Sequence, residues 1–211
     1  MRYISFAFVG EGSSDLHLKN LIENLLIHYG ADEVSGYEVP GNQTELIKGR
    51  RVEDKIEFLN KNYAYVNLYI VHRDADRAGY RARFDEIMNA ARKYSVVDKT
   101  VPIITDKMLE AWLLTDKEYL KTVAGNLGYR GNFNGINFNL LENIADPKSV
   151  LEDVLCEING CSGYKLKQFR KTFPEMRMRL ANGLSIDNEF LRNLKSFQEF
   201  REILLSKMGM C

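Results

Sequence analysis

Cysteine and histidine are scarce in this chain of 211 residues, which has three of each. The cysteines are odd in number and form no Cys-x-x-Cys pair, and the histidines are scattered along the chain. This pattern argues against a disulfide framework and against a structural zinc site. It favours a reducing compartment, and we expect the protein in the cytoplasm.

Long apolar runs are also absent. No run approaches the ~18 residues that a membrane helix needs, so no membrane association is expected. The first twelve residues contain one basic residue and a short apolar run that ends in Gly-Glu, without a small-residue cleavage site. We therefore interpret this run as a first strand and not as a signal peptide.

The charges sum to zero but are unevenly distributed. Residues 160–211 contain 10 Lys and Arg against 5 Asp and Glu, so residues 1–159 contain 19 against 24. An acidic part followed by a basic part suits a metal-dependent enzyme that acts on a polyanion. A solvated helical face would explain the basic excess equally well.

Apolar patterning in the first half alternates between strand and helix. The predicted strands are 3–9, 34–39, 65–71 and 96–104, and the predicted helices are 16–29, 44–62, 78–94 and 107–114. Strict alternation of this kind is typical of an α/β fold with a parallel sheet and helices on both faces. We therefore predict a Rossmann-like sheet.

The pattern changes after about residue 127. Gly128–Asn139 is rich in glycine and asparagine and is predicted to be a loop. The remainder is predicted to be helical over 148–158, over 164–180 with a kink or a break near Pro174, and over 189–207. We expect an α/β domain over residues 1–127 and a mostly helical extension over 128–211.

Carboxylates follow two of the predicted strands. Asp74 and Asp76 come directly after an apolar run, and residues two apart point the same way while the backbone stays extended. Glu11 follows the first strand. If the first and third strands are neighbours, three carboxylates meet at one edge of the sheet, where Mg²⁺ would find the oxygen ligands that it prefers.

Two stretches resemble the Toprim fold of topoisomerases, primases and nucleases of the overcoming-lysogenization-defect type. They are VGEGSSD (Val9–Asp15) and HRDADRAG (His72–Gly79). Three further stretches resemble a family of small Toprim-like proteins, domain of unknown function 4276, which is often associated with mobile-element or phage-defence loci. They are DKMLEAWLL (106–114), NIADPKSVL (143–151) and RNLKSFQEFREIL (192–204).

The resemblance implies roles for individual residues. It implies that Glu11 is a general acid/base or a metal ligand, and that Asp74 and Asp76 bind Mg²⁺ or Mn²⁺. Asp15 matches a position that is often acidic in the nuclease branch, and Glu110 matches the glutamate of a Glu-Ala-Trp motif. The chain has no phosphate-binding Gly-x-x-x-x-Gly-Lys motif, so any ATPase would be a separate partner.

Ordinary structural roles compete with these interpretations. The aspartates could be turn or cap residues, Glu110 could face solvent, and Trp112 is expected in the core. His72 either assists proton transfer or is a packed or surface residue. The basic residues of the second half either contact phosphates or form a solvated face. They are Lys165, Lys167, Arg170, Lys171, Arg177 and Arg179.

Three functions are compatible with the sequence. The first is a Mg²⁺-dependent phosphodiesterase, a DNA or RNA endonuclease whose role in phage defence is implied by the resemblance. The second is a non-catalytic module that docks a partner such as an ATPase. The third, a nucleotide or flavin binder, is disfavoured because GEGSS is a poor phosphate-binding loop. An oligomer is compatible with all three.

Overall fold

The computed structural model of the chain describes residues 1–11, 17–39 and 51–209. Its centre is a four-stranded, all-parallel sheet in the order β2-β1-β3-β4. The strands are β1 (Tyr3–Val9), β2 (Glu33–Val39), β3 (Leu68–Asp74) and β4 (Thr100–Thr105). The fold is therefore the α/β, Rossmann-like arrangement that the alternating pattern predicts, followed by a helical part.

Ten α-helices surround or follow the sheet in the described ranges. They are α1 (Lys19–His28), α2 (Val52–Asn62), α3 (Tyr80–Lys93), α4 (Glu110–Leu113), α5 (Lys117–Ala124), α6 (Pro147–Asn159), α7 (Gly163–Lys171), α8 (Phe173–Asn182), α9 (Glu189–Asn193) and α10 (Lys195–Lys207). The break predicted near Pro174 falls between α7 and α8. None of these helices combines the length and apolar character needed to cross a bilayer.

Several boundaries differ from the predicted ones. β3 continues to Asp74, three residues past the end of its apolar run, because its backbone still pairs with β4 there. β4 begins only at Thr100, because residues 97–99 form a short 3₁₀ turn. Helix α5 was not predicted, and the first part of the predicted helix 44–62 lies outside the described residues.

Helices cover both faces of the sheet. On one face, Phe8, Ile70 and Ile103 are fully buried in the larger apolar core, which includes α1 and the C-terminal helices. On the other face, Val9 and Val71 are fully buried against α2 and α3 in a second core. Alternate residues of each strand thus supply two different cores, as expected for a sheet that is covered on both sides.

The C-terminal helices pack directly on the α/β part. Trp112 of α4 is fully buried, as predicted, and its Nε1 donates a hydrogen bond to Ser196 Oγ of α10 at 2.8 Å. Its ring packs edge-on against Phe197, with centroids 5.3 Å apart. The larger core therefore continues across residue 127, and the helical part provides one cover of the sheet.

Candidate metal and phosphate site

The strand order creates a crevice between β1 and β3. The chain passes from β1 outward to β2 and then returns to β3, which lies on the other side of β1 and is followed outward by β4. In open parallel sheets, ligands bind at such a reversal point, just past the carboxyl ends of the strands. Glu11 lies two residues after β1, and Asp74 is the last residue of β3. The two carboxylates therefore flank this crevice.

Asp74 is held by the neighbouring strand and by the loop that follows it. Its Oδ1 accepts a hydrogen bond from Thr105 Oγ1 at 2.5 Å and another from the Leu109 amide at 3.0 Å. His72, which is fully buried, places its Nε2 at 3.5 Å from the same oxygen and at 3.3 Å from Thr105 Oγ1. His72 is therefore a packed residue in contact with Asp74, and the carboxylate is fixed before any ligand binds.

Glu11 faces a guanidinium across the crevice. Arg73 Nε lies 2.7 Å from Glu11 Oε1, an ion pair without hydrogen-bond geometry. Burial raises the pKa of Glu11 above its ordinary value of 4.5, the Arg73 charge lowers it, and the Asp74 charge raises it. Since the Asp74 charge acts on Glu11, the two carboxylates are electrostatically coupled, and positive charge between them would be stabilising.

A buried lysine supports the loop that carries Glu11. Lys55 of α2 is 3% exposed, and its Nζ donates a hydrogen bond to the Gly10 carbonyl at 2.8 Å. Its ammonium also lowers the pKa of Glu11, less than Arg73 does. Helix α2 therefore fixes the end of β1 and supplies positive charge to the crevice.

Asp76 does not continue the alternation of β3. The strand ends at Asp74, and Asp76 has a positive φ of 47°. Its amide donates to the Lys107 carbonyl at 3.1 Å, and its Oδ2 lies 3.8 Å from Arg83 Nη2. The side chains of Asp74 and Asp76 would point the same way only if the backbone were extended through both residues. The left-handed conformation at Asp76 shows that it is not.

Carboxylates and guanidiniums alternate around the crevice. Glu86 Oε2 lies 3.0 Å from Arg83 Nη1 and 3.7 Å from Arg73 Nη2, so it connects the two arginines. The resulting network runs through Glu11, Arg73, Glu86, Arg83 and Asp76. Within residues 1–11, 17–39 and 51–209, no three His, Cys, Asp or Glu side chains form a group suited to hold a metal ion.

Glu110, one of the two weaker ligand candidates, is paired with an arginine. It is 2% exposed, and its Oε1 lies 2.7 Å from Arg177 Nη2 of α8. It therefore does not face solvent, and the preceding residue, Leu109, contacts Asp74. Asp15 lies outside the described residues.

The predicted phosphate-contacting residues divide into two groups. Lys165, Lys167 and Lys171 of α7 are exposed. Arg170 and Arg177 instead face carboxylates, since Arg170 Nη2 lies 3.3 Å from Asp153 Oδ1 and Arg177 is paired with Glu110. Among the described residues of this set, the three lysines and the exposed Arg179 therefore present a positive surface.

Several residues of the crevice were not singled out from the sequence, and Arg73, Thr105 and Lys55 are examples. Arg73 lies inside the quoted motif, but its ion pair with Glu11 depends on which strand neighbours β3. Thr105 ends β4 and so reaches Asp74, a position that the apolar pattern marks only as a strand end. Lys55 is one of several lysines on an amphipathic helix, and no sequence signal distinguishes it.

The donor set fits one divalent cation held by two carboxylates. Mg²⁺ commonly binds one or two carboxylates, with waters and substrate phosphates completing the shell. Glu11 and Asp74 would supply oxygen ligands from neighbouring strand ends, and the raised pKa of Glu11 marks a partly desolvated carboxylate that a cation would stabilise. Comparison with protein-family models, curated proteins and solved structures finds no match to this chain.

Proposed function

We propose that the protein is a Mg²⁺- or Mn²⁺-dependent phosphodiesterase that acts on DNA or RNA. The observation that carries the proposal is the placement of Glu11 and Asp74 on either side of the crevice between β1 and β3. The likeness of their motifs to those of Toprim nucleases supports the same chemistry, with cytoplasmic phage defence as its setting.

Each residue of the crevice has a part in this reaction. Glu11 and Asp74 would hold the cation, which polarises a phosphate and lowers the pKa of a bound water. Glu11 would accept or donate a proton only while it does not hold the cation, because burial raises the pKa of the cation-free carboxyl group and a bound cation would lower it. Arg73 is placed to neutralise a phosphate oxygen once Glu11 turns to the cation.

The exposed lysines of α7 supply the surface for a polyanion. Lys165, Lys167 and Lys171 are exposed on a helix that buries no residue. Contacts of this kind bind the phosphate backbone without reading sequence, and their strength falls as salt rises. The substrate is therefore expected to be nucleic acid of no fixed sequence.

A second function has its own support. Glu11 and Asp76 each already face a guanidinium, and the alternating network around the crevice can serve as a purely structural feature. In that case the protein is a non-catalytic module that docks a partner such as an ATPase, and divalent cations would not alter it. The two functions differ in whether Glu11 and Asp74 are needed for phosphodiester cleavage.

Incubation with supercoiled plasmid, single-stranded DNA and tRNA in Mn²⁺ or Mg²⁺ tests the proposal. The variants Glu11→Gln and Asp74→Asn keep side-chain shape and remove charge. Glu57→Gln is the matched control, because Glu57 lies on the partly exposed surface of α2, where it pairs with Lys61. We expect cleavage by wild type and Glu57→Gln, reduced by ~100-fold or more in the other two.

Chelation by EDTA should abolish cleavage in the active proteins. Equal cleavage by wild type, Glu11→Gln and Asp74→Asn would assign the activity to a contaminant. Absence of cleavage in all four proteins on all three substrates would favour the docking module.

A further inference from the structure

A cavity of about 790 Å³ lies in the helical part of the chain, apart from the candidate site. One wall is the Gly- and Asn-rich loop, through Asn134 and Asn137, and the opposite wall is formed by α6 and α7. Its volume is within the range of small-molecule sites in proteins, about 300–1,000 Å³. None of the crevice residues lines it, so its occupancy is independent of the proposed reaction.

The lining of the cavity combines an apolar surface with polar groups. Ile136, Leu140 and Ile144 come from the loop side, and Val150 and Leu166 come from the helices. Asn134 has a φ of 56°, a left-handed conformation that asparagine adopts more readily than most residues. The loop backbone is therefore shaped to bring amide groups and aliphatic side chains to the same cavity.

Glu157 of α6 is the uncompensated charge in this lining. Its Oε1 accepts a hydrogen bond from the Tyr129 hydroxyl. Its Oε2 is withdrawn from solvent and has no hydrogen-bond partner in the part of the chain that the structure describes. A buried carboxylate oxygen without a donor is costly, and native proteins generally pair such groups.

The other charges of the cavity do not compensate Glu157. Arg170 is the guanidinium in the lining, and it already faces Asp153 at 3.3 Å and Glu152 at 3.8 Å. The lining therefore keeps net negative charge at Glu157. Glu157 lines the cavity and its terminal torsion is soft, so its carboxylate can reorient towards a bound group.

We propose that this cavity binds a small organic cation, an amine or a guanidinium on an aliphatic body. The charged nitrogen donates to Glu157, the aliphatic body lies against Ile136 and Leu166, and the asparagine amides contact the remaining polar atoms. Such a ligand satisfies both the charge and the lone pairs of Glu157, whereas a neutral donor satisfies only the lone pairs and an anion is repelled by the charge.

Calorimetry on the full chain tests this site with agmatine and spermidine as probes. N-butylurea is the neutral probe and guanosine monophosphate the anionic one. Glu157→Gln removes the charge at constant shape, and Glu175→Gln is the matched control, because Glu175 is exposed on α8 and lies outside the lining. We expect saturable binding of a cation to wild type and Glu175→Gln, about tenfold or more weaker in Glu157→Gln.

A variant that fills the cavity, Leu166→Trp, should also abolish binding, and circular dichroism verifies that each variant is folded. Unchanged affinity in Glu157→Gln, absence of saturable binding by both cations, or tighter binding of N-butylurea or guanosine monophosphate would overturn the proposal. Each result is independent of whether the crevice cleaves nucleic acid.

Discussion

The charged side chains of the crevice each contact an oppositely charged group or a hydrogen-bond donor. Arg73 is shared between Glu11 and Glu86, at 2.7 Å and 3.7 Å. Asp74 is held by the Thr105 hydroxyl and the Leu109 amide. If the proposed cation binds, Asp74 would need little rearrangement, whereas Glu11 would have to exchange Arg73 for the cation.

The raised pKa of Glu11 predicts a pH dependence of stability in EDTA. The native state holds the Glu11 proton more tightly than the unfolded chain does. This contribution is therefore fully present below about pH 4.5 and is lost as pH rises through the raised pKa. In urea titrations between about pH 4 and about pH 7, the stability of wild type relative to Glu11→Gln should fall as pH rises.

Glu57 provides a control, because its contribution to stability should change with pH in the opposite direction to that of Glu11. Its hydrogen bond with Lys61 lowers its pKa, so its contribution is present at higher pH and lost on acidification. The stability of wild type relative to Glu57→Gln should therefore rise with pH. A flat or rising difference for Glu11→Gln would contradict the assignment of burial as the dominant influence on Glu11.

Which residues form the site was only partly predictable from the sequence. Glu11 and Asp74 were identified because strand ends of a parallel sheet meet at one edge. The ion pair of Glu11 with Arg73 depends on β1 and β3 being neighbours, and strand order is a long-range property that local patterning does not contain. The alternation that would place Asp76 on the same side as Asp74 ends with β3 at Asp74, and the backbone at Asp76 is left-handed.

At the scale of elements, the turn from β3 into α3 sets the position of the crevice. Gly79, the residue before α3, has φ 81° and ψ 161°, a conformation essentially restricted to glycine. A side chain built there would meet no atom within 4 Å, so any cost of substitution is backbone strain. The glycine of the sequence motif is therefore required by the geometry of the turn.

Gly79→Ala is predicted to lower the free energy of unfolding by about 1–3 kcal/mol. Urea titration measures this as a lower midpoint at unchanged slope. Gly128→Ala is the matched control, because Gly128 has no positive φ and its added methyl group would lie 3.7 Å from Asn126 Oδ1. Equal midpoints for Gly79→Ala and Gly128→Ala would show that the turn tolerates a side chain.

The elements themselves were largely predictable. β1 has the predicted bounds, because a β-rich run ending in glycine leaves no ambiguity. The predicted helix 189–207 is instead two helices, because Leu194 has an extended backbone (ψ 130°) that interrupts it. Helical periodicity continues through such a break, so the sequence alone does not reveal it.

At the scale of the whole molecule, two apolar cores hold the sheet from opposite faces. They therefore also fix the positions of the carboxyl ends of its strands, where the crevice lies. Helices α2 and α3 supply Lys55 and Arg83 from one side of the sheet. The loop after β4 supplies Leu109. The C-terminal helices, predicted as an extension of the α/β domain, share the larger core with the sheet. Stability of the crevice is therefore expected to depend on both halves of the chain.

The central claim is that carboxylates from two strands capture one divalent cation, and calorimetric titration with Mn²⁺ and Mg²⁺ tests it most directly. Wild type and Asp85→Asn, which alters an exposed carboxylate of α3 paired with Arg81, should bind one ion. Asp74→Asn and Glu11→Gln should lose this binding while remaining folded. If wild type binds neither ion at millimolar concentration, or if all four proteins bind equally, the crevice between β1 and β3 is not a metal site.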